Sequence, residues 1–434
     1  MHKTFHIVSL GCAKNTVDTE GMAQLLSAAG YRRVKTPGRA QALIVNTCGF
    51  IAPAREESYA VLREMAAKKR PGQRLIAAGC LTQREGEAVK AQVNGIDGVI
   101  GTRQWMDIVS LLESLEKKAN PCSLPEANLN NTRAVSISGA SAYLKIADGC
   151  RRPCAFCAIP LIKGATLSRP VNDILADAAY LQDNGVLEIN LIAQDTTDYG
   201  YDMGMRNGLA TLLRQLTETV PRVPWLRILY AYPGYVTDEL INIMSTSPQI
   251  LHYLDIPLQH AHPEVLRRMR RPADTDWVRR TLKKMRRALP GLAIRTTFIV
   301  GYPGETEVEF QSLLDFLEEI RFDRVGVFTY SPEVGTPGAS LGDPVPDAIK
   351  EERRQRLMAM QQQISREKNR RFLGKTLDVL IEGAGQGVSI GRSYRDAPEI
   401  DGVVLVKGEL VPDKIVPVCI TETMDYDLSG VISQ

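Results

Sequence analysis

Long apolar runs are missing from this 434-residue chain. None approaches the ~18 residues needed to cross a bilayer, so no membrane partner is expected. The only early apolar stretch, Phe5–Leu10, is short for a signal-peptide core. A cytoplasmic location is therefore the expectation. Net charge is scarce too: 53 basic against 50 acidic residues leave +3. So small an imbalance gives no global attraction to nucleic acid or membrane, and any such attraction must be local. There is no repeat of fixed period, no low-complexity tract, and no Ser-His-Asp or paired-carboxylate constellation. With 44% hydrophobic and 24% charged residues, the composition excludes a disordered chain, a collagen and a coiled coil.

What is present is a regular alternation. The length suits two to four domains at about 150 residues each. From Thr4 to about Lys118, the short apolar runs Phe5–Leu10, Ala42–Val45 and Leu75–Ala78 alternate with helical stretches Thr16–Ala29, Pro53–Lys68 and Trp105–Lys117. That pattern predicts a parallel α/β sheet wrapped by helices. Asn120–Thr132, rich in Asn, Pro and Ser, reads as a linker. From Ala142 six strand–helix units follow, with strands predicted at Ala142–Ala147, Leu187–Ala193, Leu226–Ala231, Leu251–Ile256, Ala293–Val300 and Arg324–Tyr330. Six units suggest a partial parallel (β/α)6 barrel, with a doubly wound sheet as the open alternative. A charged helix, Ala348–Phe372, leads into a β-rich remainder, Gly374–Gln434, which reads as a small antiparallel β-barrel. The expected domains are residues 3–119, 136–366 and 370–434.

The chemistry-bearing residues are cysteines, of which there are eight. A reducing compartment makes disulfides a poor account of them, and clustered thiols point to metal ligation or catalysis. Cys150, Cys154 and Cys157 form a C-x3-C-x2-C triad just beyond the strand Ala142–Ala147. Three thiolates on one short loop can hold three irons of a 4Fe-4S cluster and leave the fourth iron open to a small molecule. A structural zinc loop lacking its fourth ligand, or three unrelated buried thiols, stay open as alternatives. Cys12, Cys48 and Cys80 show a quieter pattern, each one to three residues beyond a predicted parallel strand. Strand C-termini share one sheet edge, where ligands bind, so these three would converge as a second trio. Three independent core cysteines are the alternative. Cys122 reads as a linker residue and Cys419 as strand core.

The triad spacing, with Phe156 as the aromatic residue before the last cysteine, resembles the C-x3-C-x-aromatic-C signature of the radical S-adenosylmethionine (SAM) enzymes. The wider chain resembles the methylthiotransferases. The matching segments are Ser9-Leu10-Gly11-Cys12-Ala13-Lys14-Asn15, Val45–Phe50, Ala78-Gly79-Cys80, Tyr253–His260 and Ile299–Thr306. The family often has Pro where Ala13 stands. The tail is similar to a TRAM domain, and its Gly391–Gly402 segment resembles the RimO-type branch, which modifies an aspartate of the twelfth small-subunit ribosomal protein. The other branch modifies an adenosine of tRNA.

This resemblance implies two 4Fe-4S clusters and SAM. Cys150, Cys154 and Cys157 would hold the cluster that cleaves SAM. Cys12, Cys48 and Cys80 would hold an auxiliary cluster carrying the sulfur to be transferred. One SAM would supply the methyl group, and a second a 5′-deoxyadenosyl radical that removes hydrogen from the aspartate β-carbon. An electron donor is a further implied partner. Gly301 and Gly304, after the fifth barrel strand, are candidates for close approach to SAM's adenosine. Gln194 and Asp195, at the end of the second strand, are candidates for its amino group or ribose. His260 reads as a structural histidine in preference to a substrate-orienting one.

Charge bears on the substrate. From Lys375 to the end, five basic residues face ten acidic ones, a net of −5. A barrel that grips RNA should be basic. An acidic one suits a basic ribosomal protein and makes tRNA an unfavoured partner. Arg267–Arg287, with ten basic against two acidic residues, and Ala348–Phe372, with eight against three, pull the other way. Such runs are most often solvated helix faces.

Overall fold

The computed structural model describes residues 3–117 and 133–433; the Asn120–Thr132 linker and Cys122 lie outside them. In the first segment β1 (Thr4–Ser9), β2 (Arg32–Arg33), β3 (Ala42–Thr47), β4 (Arg74–Gly79) and β5 (Gly98–Gly101) form one all-parallel sheet in the order β2-β1-β3-β4-β5. Every residue of β3 is buried, which is why it reads as a continuous apolar run. Helices Ala13–Ala28 and Ile108–Lys117 cover one face through Met22, Leu26, Ile108 and Leu112. Helix Ala52–Lys68 covers the other through Tyr59 and Leu62. The strand order reverses between β1 and β3, and a crevice opens beyond the strand ends at such a switch point.

In the second segment β6 (Val135–Ser138), which the sequence pattern did not disclose, pairs antiparallel with β7 (Ser141–Lys145). The short strands β8 (Ala147–Asp148) and β9 (Leu167–Ser168) pair across the base of the Cys150–Cys157 loop. Strands β7, β10 (Glu188–Ile192), β11 (Trp225–Ile228), β12 (Tyr253–Asp255), β13 (Ala293–Val300) and β14 (Arg324–Thr329) then run parallel in chain order. The join between β11 and β12 is thin. Leu226 bridges Ile250, and the Ala231 amide donates to the Asp255 carbonyl at 2.8 Å. Because the order never reverses, this is a partial six-strand barrel and not a doubly wound sheet.

The tail comprises β15 (Thr376–Gly385), β16 (Val388–Ser393), β17 (Val404–Lys407), β18 (Lys414–Thr423) and β19 (Leu428–Ile432), closed in the order β15-β16-β17-β19-β18. The antiparallel expectation is corrected at one seam, where β17 and β19 pair parallel. Directions cannot alternate all the way round a ring of five. Cys419 lies on β18 but is only partly buried. Its neighbours Val418 and Ile420 point into the barrel core, so strand alternation turns Cys419 outward.

The Gly391–Gly402 segment is mostly internal. Arg392 reaches Glu188 at 2.6 Å, and Glu188 also pairs with Arg227 at 2.8 Å. Burial alone would lift the Glu188 carboxyl, but the two guanidinium groups hold it at about 2. Tyr253 donates to Asp401 at 2.6 Å, and Arg324 pairs with Asp396 at 2.5 Å. Glu188, Tyr253 and Arg324 each begin a barrel strand. The tail is therefore seated on the barrel's N-terminal end, opposite the cysteine loops.

Candidate active site

The first trio is built by strand register. Ser9 pairs with Asn46 and Thr47 with Gly79, so β1, β3 and β4 end level with one another. Cys12 follows β1 as the N-cap of helix Ala13–Ala28, Cys48 follows β3 directly, and Cys80 opens helix Cys80–Glu85. Two asparagines stitch the three loops. Asn15 donates to the Leu10 and Thr47 carbonyls at 2.9 and 3.0 Å, and Asn46 donates to the Asn15 carbonyl at 2.9 Å. Glycine is required where the loops touch: a Cβ on Gly49 would lie 2.7 Å from the Leu81 backbone. Burial pushes the Cys80 thiol up to about 12; Lys163 pulls it down, while Cys12 and Cys48 push it further up.

The second trio sits on a loop fixed at several points. The Cys150 amide donates to Gly164 O at 2.9 Å and the Ala155 amide to Met269 O at 2.9 Å. Arg151 grips Asp198 at 2.8 Å, and Arg152 grips Asp195 at 2.7 Å. Arg271 donates to the Cys154 sulfur at 3.3 Å, placing a fixed positive charge beside a thiolate ligand position. Burial pushes the Cys150 and Cys157 thiols up to about 11 and about 12. Without a metal these sulfurs are therefore neutral, and loading iron must displace their protons.

The two trios share one chamber of about 600 Å³, whose walls include all six cysteines. Cys80 packs on Ala158 and Ile162, directly behind the second loop. Around the chamber an internal ion network joins the two domains. Asp18 of the first pairs with Lys145 and Lys163 of the barrel, and Lys163 also meets Asp148 at 3.0 Å. Among the described residues no three His, Cys, Asp or Glu side chains form a site for a single metal ion. The donor set fits a cluster better: two sets of three soft sulfurs, each open to a shared space. Buried amide oxygens of Gln194 and Gln259, both on the chamber wall, have no hydrogen-bond partner, as expected of acceptors awaiting a ligand.

Of the remaining candidates, Phe156 and Gln194 line the chamber. Asp195 does not; its carboxylate is held by Arg152 and Thr197, so it fixes the cysteine loop. Gly301 and Gly304 lie in a left-handed turn against Lys350 and Arg268, away from the chamber wall. His260 is buried, and its Nδ1 accepts the His262 amide at 2.9 Å. Burial lowers its pKa to about 3, consistent with a structural, neutral ring. Sequence reasoning missed Lys14, Tyr230, Gln259 and Arg271, all on the wall. Tyr230 and Gln259 carry positive φ angles of 62° and 74°. Such strain gathers at functional sites, but no sequence signal announces it in a non-glycine residue. Arg271 was concealed within the basic run.

A barrel of this order, opening on a three-cysteine loop, defines a radical SAM protein, and residues 144–317 match the Radical SAM superfamily. Residues 4–101 match Uncharacterized protein family UPF0004, and residues 373–432 match the TRAM domain. Among solved structures, the radical S-adenosylmethionine methyltransferase TsrM from Kitasatospora setae aligns with a TM-score of 0.58 at 12% identity, over 90% of this chain and 77% of that one. The cobalamin-dependent radical enzyme OxsB aligns with a TM-score of 0.52 at 11% identity, over 78% of this chain and 55% of that one. These two likenesses are of fold alone.

Full-length relatives are much nearer. Proteins named ribosomal protein uS12 methylthiotransferase RimO from Chloroflexus aurantiacus, Roseiflexus sp. and Herpetosiphon aurantiacus are 49%, 47% and 46% identical. The alignments cover 98%, 98% and 99% of this chain, and 99%, 96% and 99% of theirs. The chain belongs to the RimO family of radical SAM methylthiotransferases. Membership implies a 4Fe-4S cluster and SAM. Among the described residues no helix is long and apolar enough to cross a membrane.

Proposed function

We propose that this protein adds a methylthio group to the β-carbon of one aspartate of ribosomal protein uS12. The observation that carries the reading is the convergence of two cysteine trios, from two domains, on a single chamber. Cys150, Cys154 and Cys157 would hold one 4Fe-4S cluster, and Cys12, Cys48 and Cys80 a second. When bound, these clusters and SAM supply a carbon-centred radical able to take hydrogen from an unactivated carbon, and a sulfur donor within the same space.

The chain's own residues prepare that space. Arg271 balances the thiolate charge at Cys154. The free amide oxygens of Gln194 and Gln259 offer acceptors to the ammonium and hydroxyl groups of SAM. Phe50, Ile51, Phe156, Ile159, Ile162 and Phe328 give the chamber an apolar lining that keeps water from a radical. The exposed face of the tail barrel carries Lys375, Lys407 and Lys414 against Asp378, Glu382, Glu399, Glu409, Asp413 and Glu422. That surface favours a basic ribosomal protein over RNA. The activity also needs a one-electron donor and a cytoplasmic setting, where ribosomal proteins are met.

Mass spectrometry of ribosomal proteins and tRNA from cells lacking this protein tests the reading. The expected result is the loss of one methylthio group from a uS12 aspartate; loss from tRNA instead would overturn it. Joint replacement of Cys12, Cys48 and Cys80 by Ala should lower iron from about eight to about four per chain after anaerobic reconstitution. Unchanged iron would remove the second cluster.

A further inference from the structure

Among the described residues, one cation of the chamber wall has no carboxylate within ion-pair distance. Among the wall residues, Arg152 is neutralised by Asp195 and Asp198, Lys163 by Asp18 and Asp148, and Arg271 is spent on the Cys154 sulfur. Lys14 is just as buried, at 9% exposure, yet no carboxylate of the described residues lies within ion-pair distance of it. Its ammonium rests instead on the face of Tyr230, 3.2 Å from the ring centroid. An aromatic face stabilises a cation without cancelling its charge.

Two features show that this arrangement is maintained against local preference. Lys14 is the second residue of helix Ala13–Ala28, whose first turn contains no acidic residue; the positive end of a helix disfavours a cation there. Tyr230 presents its ring from a left-handed backbone, which a bulky residue rarely adopts. That backbone is held by Asp255, which accepts the Tyr230 amide at 3.1 Å and is itself paired with Arg295 at 3.3 Å. Helix start and ammonium together make a place for an anion, at the point where the first domain touches the barrel mouth.

We propose that Lys14 binds the side-chain carboxylate of the substrate aspartate, and so selects aspartate over neutral side chains. The inference rests on the reading given under Proposed function. It deepens that reading in one respect: a carboxylate on Lys14 sets the adjoining β-carbon near the Cys12 side of the chamber, with the barrel loop opposite. SAM also has a carboxylate, but Lys14 lies two residues from Cys12, on the wall of the trio that does not bind SAM in that reading.

The test is binding of uS12 to the anaerobically reconstituted protein, with the target aspartate or with asparagine in its place. The wild-type protein should bind the aspartate form at least about tenfold more tightly, since the asparagine form leaves a buried charge unmet. In Lys14→Met the two forms should bind within about twofold, and Lys14→Arg should restore a preference. Lys14→Gln serves if Lys14→Met does not fold. A preference undiminished in these neutral variants would overturn the inference. So would a weakened SAM affinity with the aspartate preference intact, because the carboxylate would then be SAM's. If the wild-type protein adds a methylthio group to no uS12 aspartate, the functional reading has failed, and the inference falls with it. If it does so while Lys14→Met keeps the preference, the inference alone has failed.

Discussion

Gly149 shows how narrowly single residues define the site. It precedes Cys150 at φ 76°, and a Cβ there would overlap the Ala165 carbonyl. Gly149→Ala should destabilise the protein by about 2 kcal/mol or more and lower the iron bound by the barrel loop; thermal unfolding and iron analysis check both. His260 gives a pH signature. Its ring titrates near 6.5 in an unfolded chain but near 3 in the fold, where burial keeps it neutral. Between those values only the unfolded state takes up the proton, so stability present above pH 6.5 is lost as pH falls toward 3. His260→Asn should flatten this fall, seen as a smaller drop in Tm between pH 7 and pH 4.5. The six cysteines were legible because spacing and position after strands repeat. Lys14, Tyr230 and Gln259 were not, because each is a single residue whose meaning lies in what it fails to pair with, or in its backbone angles.

At the scale of elements, the strand ends do the positioning. Register places β1, β3 and β4 level, and this was readable because buried parallel strands are continuous apolar runs. The short helices Cys80–Glu85 and Ile159–Lys163 were not foreseen. Five or six residues carry too little periodicity to register, and packing against the chamber creates them. The helix Ala13–Ala28 is tied to the barrel through Asp18. Among the described residues, Asp18→Asn would leave the buried Lys145 and Lys163 with Asp148 as their one carboxylate within ion-pair distance. The expected cost is about 3 kcal/mol, measured by urea unfolding, with loosening of the contact between the domains.

For the whole molecule, the three-part order along the chain was legible from changes in rhythm, but the seating of the tail was not. Gly391–Gly402 was readable only as a resemblance, since nothing in a row of charged residues says that Arg392, Arg395 and Asp396 are buried. Arg392→Ala should leave Glu188 to Arg227 alone and free the tail barrel from its seat. Limited proteolysis near Arg371–Lys375 should then quicken, while the Cys150–Cys157 loop, at the far end of the barrel, should still take up iron. Retained protease resistance would show that the other contacts suffice.

The reach of these contacts sets a timetable for synthesis. The barrel-loop cysteines span only eight residues and are ready to bind metal as soon as their loop leaves the ribosome. The other trio needs three crossovers to close first, and Asp18 waits for Lys145 and Lys163, more than a hundred residues later. The tail segment around Arg392 emerges after both and then locks the base of what preceded it. A chain released early, short of this tail barrel, would thus carry its metal-binding parts complete and its foundation missing.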